Sequence, residues 1–253
     1  MIFDSHAHYD DTRYNDDRAD ILKLLPELGV GMVMNVGTSR ESCKTSVELA
    51  ASYDYIYAAV GIHPHEAENA LPQDLDLIAE FANEPKVRAI GEIGLDYHYD
   101  FSPHDVQKLW FDKLLGLASE LNMPVIIHDR EAHADCLEII RRYKLRGVFH
   151  CYSGSLEMAK ELVSMGFYIG ITGVVTFSNA KKLVEIAKWL PDDRLLIETD
   201  CPYLTPTPHR NTRNHSGHLK YVVQTLADIR NSTTEDIKAL TENNAKALFG
   251  LDI

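Results

Sequence analysis

Eight short apolar or β-branched runs recur along the 253 residues, each followed by a longer amphipathic stretch. This alternation constrains the fold more than any other feature, because strand-then-helix repetition is the pattern of βα units around a parallel sheet. The strand candidates are Met1 to Asp4, Gly31 to Val36, Ile56 to Val60, Val87 to Ile90, Pro124 to Ile127, Gly147 to Phe149, Phe167 to Ile171 and Arg194 to Ile197. Among the helix candidates, Asp105 to Leu121 carries Leu109, Trp110, Lys113, Leu114, Leu117, Ala118 and Leu121 at three- and four-residue steps, a stripe that needs a sheet to cover it. Eight such units match an α/β fold of the closed (β/α)8 TIM-barrel type better than an open doubly wound sheet. The placement of polar residues separates the two independently. In a closed barrel every strand delivers its carboxyl end to one face, whereas an open sheet gathers its site at a switch point. Here residues of metal-ligand type follow the first strand (His6, His8), the third (His63, His65), the fourth (Glu92), the fifth (His128), the sixth (His150) and the last (Asp200). The expectation is one barrel domain over residues 1–253 with a metal site at the C-terminal face of the strands.

Composition narrows the setting. With 45% hydrophobic and 25% charged residues the chain has the profile of a folded protein with a sizeable core, not of a disordered one. Its 25 Lys+Arg against 38 Asp+Glu give a net charge of −13, so the overall field repels polyanions and any nucleic-acid contact must be local. Cys43, Cys136, Cys151 and Cys201 share no close-pair spacing, which fits thiols in a reducing compartment better than a disulfide framework. The start, Met1-Ile2-Phe3-Asp4-Ser5-His6, lacks the basic and apolar regions of an export signal, and no run reaches the roughly 18 apolar residues of a membrane span. A cytoplasmic protein without a membrane partner is expected.

The chemistry begins at His6-Ala7-His8. On an extended strand, residues two apart point to the same face, so both imidazoles can reach one cation. A single histidine is more often a surface or satisfied core residue; two at strand spacing after an apolar run weaken that reading. In Gly91-Glu92-Ile93-Gly94-Leu95-Asp96 a carboxylate follows a strand between glycines that permit close backbone approach, and it can bridge two cations. Taken alone it reads as a charge leaving a strand for solvent. The runs ending in His128 and His150 finish the next two strands in the same fashion, which makes coincidence the costlier explanation. Asp200, after the last strand, can ligate a metal and accept a proton from its water, whose pKa a zinc ion lowers toward ~7. Glu198 is expected behind it, with a carboxylate bonded to nearby backbone as the plainer alternative. Imidazole and carboxylate without a thiolate set suit Zn²⁺, Mn²⁺, Fe²⁺, Co²⁺ or a mixed site with Mg²⁺. Cys151 and Cys201 adjoin two of these residues but face the other way on an extended chain.

Several motifs in order now identify a resemblance over nearly the whole chain: Phe3-Asp4-Ser5-His6-Ala7-His8, Gly61-Ile62-His63-Pro64-His65, Gly91-Glu92-Ile93-Gly94-Leu95-Asp96-Tyr97, Pro124-Val125-Ile126-Ile127-His128, His150-Cys151-Tyr152-Ser153-Gly154 and Glu198-Thr199-Asp200-Cys201-Pro202-Tyr203. The chain resembles the TatD family of metal-dependent deoxyribonucleases, a branch of the amidohydrolase-like barrels. The resemblance implies a (β/α)8 barrel, two divalent cations and hydrolysis of phosphodiester bonds in DNA. It makes His6, His8, Glu92, His128, His150 and Asp200 the metal ligands, with Glu92 bridging and Glu92 and Asp200 catalytic. One stretch departs from the family pattern Pro-x-Arg-Gly-x-x-Asn-x-Pro: Arg210 and Asn214 persist, but Asn211 stands for the Gly and Ser216 for the final Pro. A Gly position often has positive φ, which Asn tolerates better than most residues, so a similar backbone is expected.

Arg210, Arg213 and Asn214 in that loop, with Arg130 after His128, are candidate contacts to substrate phosphate, against the plain reading of solvated charges. His63, His65 and Glu198 join them as candidate substrate residues, the two histidines with a further metal as their alternative. His98, His104, His133, His209, His215 and His218 have no argued role. The leading function is a two-metal deoxyribonuclease, in particular an exonuclease, with DNA as substrate and single strands among the expected forms. Alternatives are hydrolysis of a small lactone, a cyclic amide or an aminoacyl-tRNA ester by the same cations, or a metal-binding barrel without turnover. Lactone and amide enzymes of this architecture often bridge their metals with a modified Lys after the fourth strand, where this chain has Glu92.

Overall fold

β-branched and aliphatic runs form the strands of the computed structural model, which describes residues 1–251. They are β1 Ile2–Ala7, β2 Val30–Val36, β3 Ile56–Val60, β4 Val87–Asp96, β5 Val125–Arg130, β6 Gly147–Phe149, β7 Tyr168–Ile171 and β8 Leu195–Ile197. The helices between and after them are α1 Arg18–Leu24, α2 Arg40–Ser52, α3 Pro72–Phe81, α4 His104–Glu120, α5 His133–Ile140, α6 Leu156–Ser164, α7 Lys181–Trp189, α8 Leu219–Arg230 and α9 Thr234–Phe249. The strands follow one another in sequence order in an eight-stranded sheet, with a helix after every strand, which is the (β/α)8 order. None of the helices among the described residues is long and apolar enough to cross a membrane. The chain divides into two compact units, residues 35–150 and residues 1–34 with 151 onward.

In the unit of residues 35–150, β3 through β6 pair in parallel, with Gly94 opposite His128, Asp96 opposite Arg130 and Ile127 opposite Phe149. β4 runs six residues beyond the expected end at Ile90, so Glu92 lies inside a strand rather than after one, and His128 likewise lies inside β5. The register slips between Ile90 and Ile93, around Glu92. Glycine is required at position 94: its φ is +146°, and a Cβ there would lie 1.9 Å from the His128 carbonyl oxygen. Against this sheet α4 buries Trp110, Phe111, Leu114, Leu115, Leu117 and Ala118, a set worth roughly 1.5–3 kcal/mol for each large side chain. Trp110, Leu114, Leu117 and Ala118 of the expected stripe are buried, and its edges differ. Leu109 is 53% exposed and Leu121 is also exposed, while Gln107 is buried because its side chain bonds the backbone of Asp96 and Ser102.

In the other unit, β7 pairs with β8 in parallel, and an isolated parallel bridge joins Ala7 to Cys201 just past β8. β1 also runs longer than expected and includes His6. α9 starts in a reciprocal cap between Thr233 and Asp236 and stops at Gly250, whose φ is 64°. Its Phe249 ring lies 5.9 Å from that of Phe3, which anchors the helix to β1. After β8 a loop of residues 202–216 leads into α8.

Candidate metal centre

Period-two alternation along β4 places Glu92, Gly94 and Asp96 on one face, and both carboxylates are buried. Glu92 Oε1 lies 2.7 Å from His128 Nδ1 and 2.7 Å from His150 Nε2, and these two nitrogens are 3.2 Å apart. The other nitrogen of His128, Nε2, lies 2.9 Å from Asp96 Oδ2. A carboxylate only accepts, so that contact keeps the ring hydrogen on Nε2 and turns the Nδ1 lone pair toward Glu92. Acceptors this close need a proton or a cation between them. Burial pushes the His128 imidazole toward its neutral form, but Asp96 and Glu92 more than offset it and raise its affinity for a proton. A divalent cation meets the same demand, and the imidazole–carboxylate set suits one.

Asp96, two residues on from Gly94 at the end of β4, stands behind the cluster although its residue type does not single it out in the sequence. Burial pushes its carboxyl up, yet hydrogen bonds with His128 and His65 and from the Tyr99 amide hold it well below the usual carboxylate range. Its Oδ2 is also 3.0 Å from His65 Nε2, while its Oδ1 accepts the amides of His98 and Tyr99 at 3.0 and 3.2 Å. His63, Glu92 and His128 can present three ligand atoms within 4.8 Å of one another. His63 Nδ1, however, accepts the His65 amide at 3.1 Å, which leaves the hydrogen of the neutral ring on Nε2, 3.6 Å from Glu92 Oε1. That tautomer makes His63 a hydrogen-bond donor more readily than a ligand.

In the other unit the strand geometry puts His6 and His8 side by side as expected, with Nε2 atoms 3.0 Å apart. Asp200 Oδ1 lies 3.4 Å from His8 Nε2 and 3.8 Å from His6 Nε2. Asp200 has a φ of 53°, a left-handed conformation that Asp tolerates, and its amide donates to the His6 carbonyl at 3.0 Å while the His8 amide donates to Cys201 at 2.9 Å. Beneath this edge, Asp4 accepts hydrogen bonds from Thr199 Oγ1 (2.6 Å), the Thr199 amide (2.9 Å) and Ser216 Oγ (2.6 Å). Burial pushes the Asp4 carboxyl up to about 7, against the opposing pull of Ser216 and Thr199. Nothing in the sequence distinguishes Asp4 from a surface aspartate until β1 is paired.

The departures from the family loop acquire a physical sense here. Asn211 has a φ of 68°, the left-handed conformation expected for a residue standing in place of Gly. Ser216 supplies a hydroxyl to Asp4 and an amide to Tyr9 Oη at 2.8 Å, the second of which a proline cannot donate. The structure sorts the candidate substrate residues by exposure and partner. Asn214 is fully buried, its Nδ2 donating to the carbonyls of Thr199 (3.2 Å) and Tyr203 (2.7 Å), so it braces the loop. Glu198 is fully buried as well; it accepts the Cys151 amide and the Ser5 hydroxyl (3.3 Å), which matches the alternative of a backbone-bonded carboxylate. Arg213 is committed to Asp17 through both terminal nitrogens and lies over the Tyr14 ring. Arg210 is exposed and packs 3.6 Å over Phe177, and Arg130 is exposed 4.9 Å over Tyr99.

Parallel βα units carrying clustered imidazoles and carboxylates define a metal-dependent hydrolase class. Comparison with known proteins narrows it. The family model described as TatD related DNase matches residues 3–250, and the chain belongs to that family. It is 43% identical over 255 residues to the metal-dependent hydrolase YabD of Bacillus subtilis, covering all of both chains. It is 34% identical over 258 residues to the 3'-5' ssDNA/RNA exonuclease TatD of Escherichia coli K12, covering 99% of each. The crystal structure of YJJV, a TatD homolog from Escherichia coli K12, superposes with a TM-score of 0.93 at 30% identity, over 99% of this chain and 98% of that one.

Proposed function

We propose that the protein is a divalent-metal-dependent exonuclease that hydrolyses phosphodiester bonds in single-stranded DNA, acting as one hydrolase domain in the cytoplasm. The observation that carries the metal part is the approach of His128 Nδ1 and His150 Nε2 to one oxygen of Glu92, both at 2.7 Å. Following the family resemblance, His6, His8, Glu92, His128, His150 and Asp200 would hold the cations, with Glu92 as the bridging candidate. Such cations, when bound, supply Lewis-acid polarisation of a phosphoryl oxygen and a water of lowered pKa. Asp200 is the proton acceptor: its carboxylate is 18% exposed, so it meets both imidazole and solvent. When a water attacks phosphorus, Asp200 would take its proton and return it to the nucleoside oxygen that leaves as the phosphorus–oxygen bond breaks. His63 Nε2–H is a donor for a non-bridging phosphate oxygen, and Arg210 and Arg130 offer positive charge to neighbouring phosphates.

The relatives named 3'-5' ssDNA/RNA exonuclease support the substrate class, and the absence of disulfides among the four cysteines supports the compartment. The test combines metal analysis of the purified protein with digestion of end-labelled single- and double-stranded DNA. The expected result is about two divalent ions per chain, following the two-metal template, and chelator-sensitive shortening of the single strand. Metal-loaded protein that leaves both DNAs intact would overturn the assignment.

A further inference from the structure

Next to the donor cluster of residues 35–150, the loop that ends β4 leaves two large aromatic rings in water: Tyr99 is 41% exposed and Phe101 59% exposed. They are stacked on each other, with ring centroids 5.2 Å apart and planes inclined by 24°. Two adjoining exposed rings forgo the burial that aromatic side chains ordinarily gain, so they call for a function. Their position is fixed from the metal side. Asp96 holds His128 and His65 with one carboxylate oxygen and the amides of His98 and Tyr99 with the other. The His65 ring then meets both aromatics edgewise, 5.6 Å from Tyr99 and 4.8 Å from Phe101. Arg130 on β5 places its guanidinium 4.9 Å over the Tyr99 ring, while His98 pairs with Glu131 at 2.8 Å beside it.

We propose that Tyr99 and Phe101 form a nucleobase-stacking shelf, with Arg130 facing the adjoining phosphate, so that the enzyme recognises an unpaired base beside the phosphodiester bond it cleaves. The proposal rests on the nuclease reading above and deepens it. Stacked aromatics with a cation are how proteins hold single strands without reading sequence, because every base presents a π face. A paired base has its faces already covered by its neighbours, so the shelf favours single strands. It also lets a chain with a net charge of −13 bind a polyanion through local contacts.

The test is equilibrium binding of a phosphorothioate-linked thymidine tetranucleotide, which resists turnover, and of its abasic counterpart, to the full-length protein. Wild type should bind the base-bearing strand roughly ten- to a hundredfold more tightly, the range for one stacked base. Tyr99→Ala with Phe101→Ala should erase that ratio while leaving the abasic affinity in place, and Phe101→Trp should keep it. Equal ratios in wild type and the double variant would overturn the shelf and leave the nuclease reading standing. Failure of wild type to bind either strand would overturn both. A wild-type dimer that Phe101→Ala converts to a monomer would assign the rings to self-association and also overturn the shelf.

Discussion

The two units present the same kinds of donor in different states of constraint. In residues 35–150 the donors ride on β4, β5 and the end of β6, and Asp96 fixes the tautomer of His128 from behind. In the other unit His6 and His8 come from β1 and its end, but Asp200 hangs on a single left-handed residue beyond β8, 3.4 and 3.8 Å from its imidazole partners. Tight, buried donors around Glu92 are suited to holding positive charge. A looser, partly exposed carboxylate is suited to exchanging a proton. The difference teaches that ligand type alone does not assign a role; the backing behind each ligand does.

The largest effects should separate these roles. Glu92→Gln removes the charge at the point where His128 and His150 converge, so bound metal and turnover should fall together, turnover by more than the about 10²- to 10⁴-fold cost of losing a general base. Asp200→Asn should lower turnover by about 10²- to 10⁴-fold while most metal stays bound. Metal analysis beside DNA hydrolysis checks both. If Asp200→Asn empties the protein of metal as completely as Glu92→Gln, the division into a holding cluster and an exchanging carboxylate is wrong.

A smaller loss is expected at Asp96, which holds His128 and His65 from behind. Asp96→Asn should weaken metal affinity by about 10- to 100-fold, the usual cost of removing a carboxylate behind a ligating histidine, as measured by competition with a chelator. An unchanged affinity would mean that strand geometry alone orients His128.

Asp96 also marks where the sequence stops being readable. Ile56–Val60 and Gly147–Phe149 were bounded correctly, because apolar β-branched residues flanked by polar ones leave little choice. The apolar run ends at Ile90, whereas β4 continues through Glu92, Gly94 and Asp96, residues that strands usually avoid; local propensity yields to the register here. The six ligand candidates were visible because several strands end alike. Asp4 and Asp96 were not, since a buried aspartate declares itself only when register brings Thr199 or His128 against it. Period-two spacing from Glu92 was the available signal for Asp96. For α4, periodicity located the helix and the centre of its buried face, Trp110, Leu114, Leu117 and Ala118, but not its edge: the buried Gln107 reflects hydrogen bonds to Asp96 and Ser102, which an apolar count cannot register.

The loop arginines sharpen the comparison within one unit. Arg213 is already neutralised by Asp17, so Arg213→Ala should lower Tm by a few degrees at most and leave KM for DNA unchanged. Arg210 has no such carboxylate partner among the contacts described and lies over Phe177. Arg210→Ala should raise KM and reduce the salt dependence of log KM by about 0.7, the share of one phosphate contact on a single strand. Equal effects at the two positions would show that the Asp17 pair opens when substrate binds.

The smallest effect concerns acid and the histidines that follow the same loop. His218 stacks 5.0 Å from His209 and lies 4.0 Å from His215, and its Nδ1 is 3.0 Å from Asn214 Oδ1. Burial, with the neighbouring His215, His209 and Lys220, pushes His218 down to about 4 from the ordinary 6.5. Between those values the unfolded chain binds a proton that the folded chain resists, so the unfolded state carries more protons and stability rises with pH. The contribution against folding is therefore absent above about 6.5 and grows as pH falls toward 4. His218→Gln keeps a donor for Asn214 but cannot titrate. Its Tm, compared with wild type in chelator so that metal release is common to both, should gain on wild type as the pH is lowered through that window. A difference independent of pH would mean that His218 charges in the folded loop as easily as in the unfolded chain, and that the acid sensitivity of this unit lies with its other titratable groups instead.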